Sequence, residues 1–306
     1  MLLVFSASIV DSQEMKPNGF DLSRATIPRI EIQKGGPDRD GIPSIDNPKF
    51  AASAAISFLK EDDLIFRVTA GEVTRGYPLK ILVWHEIVND TLGKENILIT
   101  YCPLCGTAMA FNREIDGKTL TFGVSGLLYS SDVLMYDRET ESLWTQLGMK
   151  CVSGEQVDTG LEWIEGDLMT WAAWKKEHPD SEVLTSDTGF HRRYGIDPYE
   201  NYPSEPQNKF PVHHNRDDLP IKAWVAGAII GGQAIAFDLK NLEKEKISEA
   251  SVLVKEKEYT FSYNSGSRIF QIKDQSGKVI PSVQVYWFAW QAFYPETLLW
   301  NENSNP

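Results

Sequence analysis

The residues Ile97-Leu-Ile-Thr-Tyr-Cys-Pro-Leu-Cys-Gly-Thr-Ala-Met-Ala-Phe111 hold two cysteines between two apolar runs. Each run, 97–101 and 107–111, has the length and composition of a buried strand. The tight turn between the runs carries Cys102 and Cys105, separated by two residues. This spacing lets both sulfurs face one ion. The cysteine turn is therefore the strongest chemical signal in the chain.

A second unusual phrase, Trp84-His-Glu-Ile-Val-Asn-Asp90, lies just upstream. Tyr77-Pro78 favours the start of a helix, since proline is well suited to the first helical turn. His85 and Glu86 then fall near the C-terminal end of that helix. We expect the helix end to bring the imidazole of His85 to the two thiols. Cys102, Cys105 and His85 would then bind a transition metal, either zinc or copper.

Two other interpretations of the cysteine pair stay open. A reactive dithiol is possible, although the residues after Cys105 resemble a strand, whereas thioredoxin-like sites place the pair at a helix start. A structural disulfide, or two buried free thiols, is the third possibility. A closed zinc site needs four ligands, and the only other cysteine, Cys151, stands alone.

Several further polar residues are candidates for a surrounding pocket or for a supporting role. Glu86 could orient His85 or act as a base. An aspartate-rich arm could close over the site. Ser125 does not match the nucleophile-elbow pattern, so no catalytic residue is assigned. The candidates are Glu86, Asp40, Ser125, Tyr129, Asp132, Tyr136 and Cys151.

Composition excludes some classes of function. The 306 residues are 42% hydrophobic and 24% charged, with a net charge of −13. This acidity argues against a nucleic-acid partner, because phosphate backbones need clustered lysine and arginine. Residues 1–10 resemble the apolar part of a signal peptide without its basic start, and no segment is long enough to span a bilayer. Any partner would be a small molecule or another protein.

The pattern of short apolar runs and turn residues predicts an α+β fold, predominantly antiparallel β with short helices. Residues 66–82 line up with 224–242, and 252–263 with the strands around 97–111. This similarity suggests two related halves, each a β-hairpin, a helix and a strand. We expect an N-terminal arm at 1–49, a first half with the site at 50–220, and a degenerate second half at 221–306.

Several phrases together resemble a prokaryotic family designated domain of unknown function 3179, over roughly residues 35–300. Ser130 departs from the family pattern, in which asparagine is usual. The resemblance implies export and brings no reaction, substrate or cofactor. The phrases are Trp84-His-Glu-Ile-Val-Asn-Asp90, Tyr101-Cys-Pro-Leu-Cys-Gly-Thr107, Phe122-Gly-Val-Ser-Gly-Leu-Leu-Tyr129, Met135-Tyr-Asp-Arg138, Leu143-Trp-x-Gln146, Trp287-Phe-Ala-Trp290 and Tyr294-Pro-x-Thr297.

The sequence therefore predicts an exported protein with a metal or thiol redox site. It would act outside the cytoplasm, although a cytoplasmic location stays open. The alternative is a non-catalytic binding or interaction module, in which the cysteines only stabilise a turn.

Overall fold

A computed structural model describes residues 16–301. The signal-like residues 1–10 lie outside this range, so export stays a prediction. Within residues 16–301, none of the helices combines the length and the apolar character needed to cross a membrane.

Short strands make up most of the described chain, and four short α-helices connect them. The helices are α1 (Leu79–His85), α2 (Trp171–Glu177), α3 (Leu239–Lys244) and α4 (Trp287–Phe293). The strands are β1 (Ile32–Lys34), β2 (Phe50–Ala52), β3 (Leu64–Ala70), β4 (Val73–Pro78), β5 (Ile87–Leu92), β6 (Glu95–Cys102), β7 (Thr107–Asn112), β8 (Glu114–Ile115), β9 (Lys118–Thr119), β10 (Phe122–Tyr129), β11 (Asp132–Asp137), β12 (Leu143–Thr145), β13 (Lys150–Ser153), β14 (Trp163–Ile164), β15 (Gly166–Thr170), β16 (Glu182–Leu184), β17 (Trp224–Ile230), β18 (Gln233–Asp238), β19 (Glu249–Val254), β20 (Lys257–Asn264), β21 (Ile269–Asp274), β22 (Val279–Ile280), β23 (Ser282–Tyr286) and β24 (Leu298–Leu299).

The strands form five larger sheets, arranged as a five-bladed β-propeller with 42% strand and 14% helix, and β8 and β9 pair in a separate two-stranded sheet. The predicted α+β class, built from hairpin, helix and strand halves, is therefore wrong. The helices are short connections at the ends of strands and form no layer of their own. The strand orders are β1-β10-β11-β12-β13 in blade 1, β14-β7-β6-β5 in blade 2, β15-β3-β4-β16-β2 in blade 3, β23-β17-β18-β24 in blade 4 and β19-β20-β21-β22 in blade 5.

The largest hydrophobic core lies where blades 1, 2 and 4 meet. Both cysteines of the turn belong to it, together with Trp144 of blade 1 and Trp287 of α4. Burying side chains of this size supplies much of the driving force for folding. The cysteine turn is therefore set in the interior, away from the surface.

Blades 3 and 4 share one pattern of strand pairing, residue for residue. Val68 pairs with Gly166 in blade 3 as Ala228 pairs with Ser282 in blade 4. The hairpin pairs Ile65–Pro78 and Val225–Asp238 are equivalent in the same way. In each blade, a helix connects two strands and begins at a tryptophan, Trp171 in α2 and Trp287 in α4. The aligned segments 66–82 and 224–242 fall on these two hairpins.

The correspondence continues into blades 2 and 5. β5 and β6 pair from Ile87–Thr100 to Leu92–Glu95, and β19 and β20 pair from Glu249–Ser262 to Val254–Lys257. Cys102–Thr107 at the cysteine turn is equivalent to Asn264–Ile269. By this register, residues 252–263 correspond mainly to β5 and β6. The sequence alignment had matched them to the strands around 97–111, which is one strand later. We call residues 64–184 the first unit and 224–299 the second unit.

The two units exchange equivalent contacts. Tyr286 N of the second unit donates to Cys105 O, at 2.9 Å, and Thr170 N of the first unit donates to Ser267 O, at 3.0 Å. The first unit alone contains a long insertion, which includes the strands β10 to β13 of blade 1. The predicted boundaries at 49/50 and 220/221 stay predictions.

Candidate metal centre

The cysteine turn is a tight connection between β6 and β7. Cys102 ends β6, and Cys105 N donates to Cys102 O at 3.2 Å. Gly106 has the left-handed φ of +67°, and a Cβ there would lie 2.7 Å from the Trp224 ring. A glycine is therefore required for both the conformation and the space. The turn directs both thiols toward one carbonyl, Ser131 O, at 3.7 and 3.5 Å from the two sulfurs.

Asp132 completes a group of three possible metal ligands. It begins β11, directly after a tight turn in which Ser130 and Ser131 both have left-handed φ angles. One carboxylate oxygen, Oδ2, accepts a hydrogen bond from Leu147 N at 3.0 Å. The other, Oδ1, is buried without a hydrogen-bond partner. One ligand atom each from Cys102, Cys105 and Asp132 lies within 4.8 Å of the other two.

Burial favours the uncharged form of each of these groups. Cys102, Cys105 and Asp132 are 1%, 0% and 1% exposed. Burial raises the pKa of both thiols and raises the pKa of Asp132 to about 7. The two thiols therefore hold their protons at neutral pH and donate to Ser131 O. A bound cation would displace these protons by stabilising the anionic forms.

Glu86 adds a second buried carboxyl group beside the three ligands. It is 7% exposed, and burial followed by repulsion from Asp132 raises its pKa to about 8. Its φ of +58° is left-handed, which is uncommon for a residue with a side chain. Its carbonyl oxygen accepts from Tyr101 N at 2.7 Å, next to Cys102. Among the described residues, no basic side chain contributes to the pKa shift of Glu86.

His85 is not part of the group that could hold a metal, contrary to our expectation. Its Nδ1 lies 2.7 Å from Pro43 O, and its Nε2 lies 2.7 Å from the hydroxyl of Tyr194. A neutral ring satisfies both contacts, donating to Pro43 O and accepting from Tyr194. Burial lowers the pKa of His85, consistent with that neutral form. The ring therefore connects α1 to the arm and to residues 185–223, which we call the cover segment.

Asp40 and Tyr136 meet each other outside the group of three ligands. The Tyr136 hydroxyl donates to Asp40 Oδ2 at 2.5 Å, and Arg138 donates to the same oxygen at 3.0 Å. These contacts attach the N-terminal arm to blade 1.

Three other candidates also have partners of their own. Ser125 Oγ donates to Leu134 O, and Tyr129 stacks on His213 with 6.4 Å between ring centroids. Cys151 Sγ donates to Ser153 O at 3.3 Å, and burial raises its pKa to about 12. Of the seven supporting candidates, the structure brings Asp132 and Glu86 to the cysteines.

Sequence reasoning assigned no role to Gln146, which supports the cysteine hairpin from blade 1. Its Nε2 donates to Thr100 Oγ1 at 2.8 Å and to Thr107 O at 3.1 Å. The next residue, Leu147, holds Asp132 through its N–H and accepts from the Tyr294 hydroxyl at 2.7 Å. Gln146 and Tyr294 both occur in the phrases that carry the family resemblance. Those phrases were the one sequence signal that could have identified the two residues.

The cover segment connects β16 to β17 over the cysteine turn. Trp84 Nε1 donates to Ile196 O at 3.1 Å, and Ser131 Oγ donates to Phe210 O at 2.8 Å. The thiol of Cys105 contributes to the raised pKa of Tyr202, whose main cause is burial. Long irregular connections of this kind are commonly functional.

Comparison with known proteins identifies the family. No curated protein and no solved structure matches the chain. A family model described as "Protein of unknown function (DUF3179)" matches residues 39–297, most of the sequence. The chain therefore belongs to the DUF3179 family, as its motifs suggested.

Proposed function

We propose that the protein binds one transition-metal ion through Cys102, Cys105 and Asp132, and that the ion is zinc. The observation that carries this proposal is the buried group of donors with an unpartnered oxygen, Asp132 Oδ1. Uncompensated polar groups in a protein interior are unfavourable, and a cation would compensate them.

The chemistry of the donors favours zinc. Two thiolates suit zinc and copper(I), whereas a carboxylate is a harder ligand that zinc accepts and copper(I) does not prefer. Three protein ligands leave a position for water or substrate, which is typical of catalytic zinc sites. When bound, zinc would supply Lewis acidity and lower the pKa of a bound water.

The surrounding residues have separate roles in this proposal. Leu147 N fixes one oxygen of Asp132, so that the other is free for the ion. Gln146 holds the β6–β7 hairpin in place. Glu86, whose carboxyl is buried beside Asp132, holds its proton at neutral pH and so adds no second carboxylate charge to the site.

The raised thiol pKa values argue against a redox dithiol. A dithiol reacts as its thiolate, and burial keeps both thiols protonated at neutral pH. A structural cysteine pair gives no reason for a third donor group, Asp132, within 4.8 Å of both sulfurs. The redox and structural alternatives are therefore less well supported than metal binding.

Metal analysis of untagged protein tests the proposal, with Cys151→Ser as the matched control. Wild type, the control and His85→Ala should each contain about one zinc per chain, because neither Cys151 nor His85 is a ligand. Cys102→Ser, Cys105→Ser and Asp132→Asn should lose most of it. Cobalt substitution should give sulfur-to-metal charge-transfer bands in wild type and in Cys151→Ser.

Three results would contradict this assignment. Metal-free wild-type protein that does not take up zinc would support the structural interpretation. Preferential retention of copper would replace zinc as the ion. Loss of metal in His85→Ala, with its fold intact by circular dichroism, would return the imidazole to the ligand set.

A further inference from the structure

A cleft of about 490 Å³ lies directly outside the cysteine turn. Tyr101 and Pro103 contribute its inner wall, and Asp197 and Tyr199 of the cover segment contribute another side. Pro103 stands between the two cysteines in the sequence. A molecule in the cleft would therefore contact the outer side of the turn whose inner side carries the thiols.

The walls of the cleft are largely aromatic. Tyr101, Tyr199, Trp224 and Tyr286 line it, and the last two rings pack with centroids 4.6 Å apart. Cations of the chain itself already lie against two of these rings. Lys209 Nζ is 5.2 Å from the centre of the Tyr199 ring, and the Arg268 guanidinium is 4.6 Å from that of Trp224. Aromatic faces attract cations, so rings of this kind suit a positively charged ligand.

The charged residues that line the cleft are predominantly acidic. Four carboxylates and two lysines line it, and one pair, Lys80 with Asp63 at 2.6 Å, is mutually neutralised. Among the residues that line the cleft, Asp62, Asp197 and Glu200 then outnumber Lys60. Excess negative charge attracts cations and repels anions of similar shape.

We propose that this cleft binds a small organic cation with an apolar or aromatic body, such as a primary amine or a quaternary ammonium compound. The body would pack on the aromatic wall, and the cationic group would lie toward Asp197 and Glu200. This assignment rests on the cleft alone and holds whether or not the cysteine turn carries a metal.

Three probes with the same ring and similar chain length test the proposal: phenethylammonium, 2-phenylethanol and phenylacetate. Their affinities can be measured by ligand-observed NMR at neutral pH, on protein as purified and after chelation. We expect phenethylammonium to bind about tenfold more tightly than the alcohol, with phenylacetate weakest, in both preparations.

Asp197→Asn/Glu200→Gln should remove most of this preference. Asparagine can retain the bond that Asp197 accepts from Tyr199 N, at 2.8 Å, so the loop should keep its conformation. The matched control is Glu256→Gln/Glu258→Gln, which removes the same charge from exposed positions outside the cleft. The control should discriminate among the probes as wild type does.

The proposal fails if phenethylammonium does not bind, or if the three probes bind equally. It also fails if the preference for the cation survives in Asp197→Asn/Glu200→Gln. Zinc content is measured separately on the same samples, so failure of the cleft and failure of the metal site can be told apart.

Discussion

The cysteine turn of the first unit and its equivalent in the second unit have the same backbone and different chemistry. Cys102, Cys105 and Gly106 correspond to Asn264, Ser267 and Arg268. Gly106 and Arg268 both have left-handed φ angles, +67° and +61°. In the second unit, Asn264 Oδ1 accepts from Ser267 N at 3.1 Å, so an amide and a hydroxyl replace the two thiols.

The difference shows which features the scaffold needs and which belong to the site. Both turns meet the opposite unit through an equivalent backbone bond, so the shared geometry serves packing. Only the first unit adds the insertion that carries Asp132, and only it has a buried acid, Glu86, where the second has Ser248. The candidate chemistry is thus an addition to one of two similar frameworks.

The largest effect that we expect from this difference is a pH dependence in the metal-free protein, caused by Glu86. Its pKa of about 8 lies well above that of a glutamate in an unfolded chain. Between these values the folded protein holds a proton that the unfolded chain releases, so stability falls as the pH rises. From pH 5 to pH 8 Glu86 should by itself lower the free energy of unfolding by roughly 3 kcal/mol, in addition to the fall caused by the raised pKa of Asp132.

Glu86→Gln should remove most of that drop, measured by urea unfolding of chelated protein at both pH values. Glu249→Gln, an exposed acid beside Ser248, serves as the control and should retain the drop. Zinc should restore the stability of wild type at pH 8. An unchanged pH dependence in Glu86→Gln would show that this carboxyl is not the origin of the effect.

These contacts also show why the sequence pointed to the two cysteines and placed His85 beside them, where the structure places Asp132. The spacing of Cys102 and Cys105 indicated a shared ligand position. Whether His85 or Glu86 faces the cysteines depends on where α1 ends. The left-handed conformation of Glu86 occurs at that point, and no local signal predicted it.

Asp132 appeared only as a possible pocket residue because its place depends on contacts far apart in the sequence. Its carboxylate meets the thiols only after blade 1 packs on blade 2, in the core that both cysteines join. The fold class was wrong for a related reason. Helical periodicity was visible for α1, whereas the pairing of short strands into five blades depends on partners distant in the chain.

The next comparison concerns the space at two glycines, Gly76 and Gly227, which pack against the equivalent helices α2 and α4. A Cβ on Gly227 would lie 2.4 Å from the ring of Trp290, whereas one on Gly76 would lie 2.5 Å from Ile65 Cδ1 and 3.0 Å from Trp174. A rigid indole cannot move aside as the end of an isoleucine can. Gly227→Ala should therefore destabilise the protein by about 2–3 kcal/mol, and Gly76→Ala by about half of that. Thermal unfolding of both variants measures this, and equal losses would mean that the two helices pack with similar freedom.

The smallest effect concerns how the equivalent helices α1 and α3 begin. The Asp238 side chain accepts from Lys240 N at 3.0 Å and Asn241 N at 3.3 Å, so Asp238→Ala should cost about 1 kcal/mol. Pro78, at the equivalent position, has no side-chain acceptor, and Pro78→Ala should change the free energy of unfolding by less than about half of that amount. Urea unfolding of the two variants distinguishes these values.

A large loss in Pro78→Ala would mean that α1 depends on its first turn. A small loss would mean that α1 is held mainly by its C-terminal end. There the carbonyl oxygen of Glu86 accepts from Tyr101 N, beside Cys102 of the candidate metal centre.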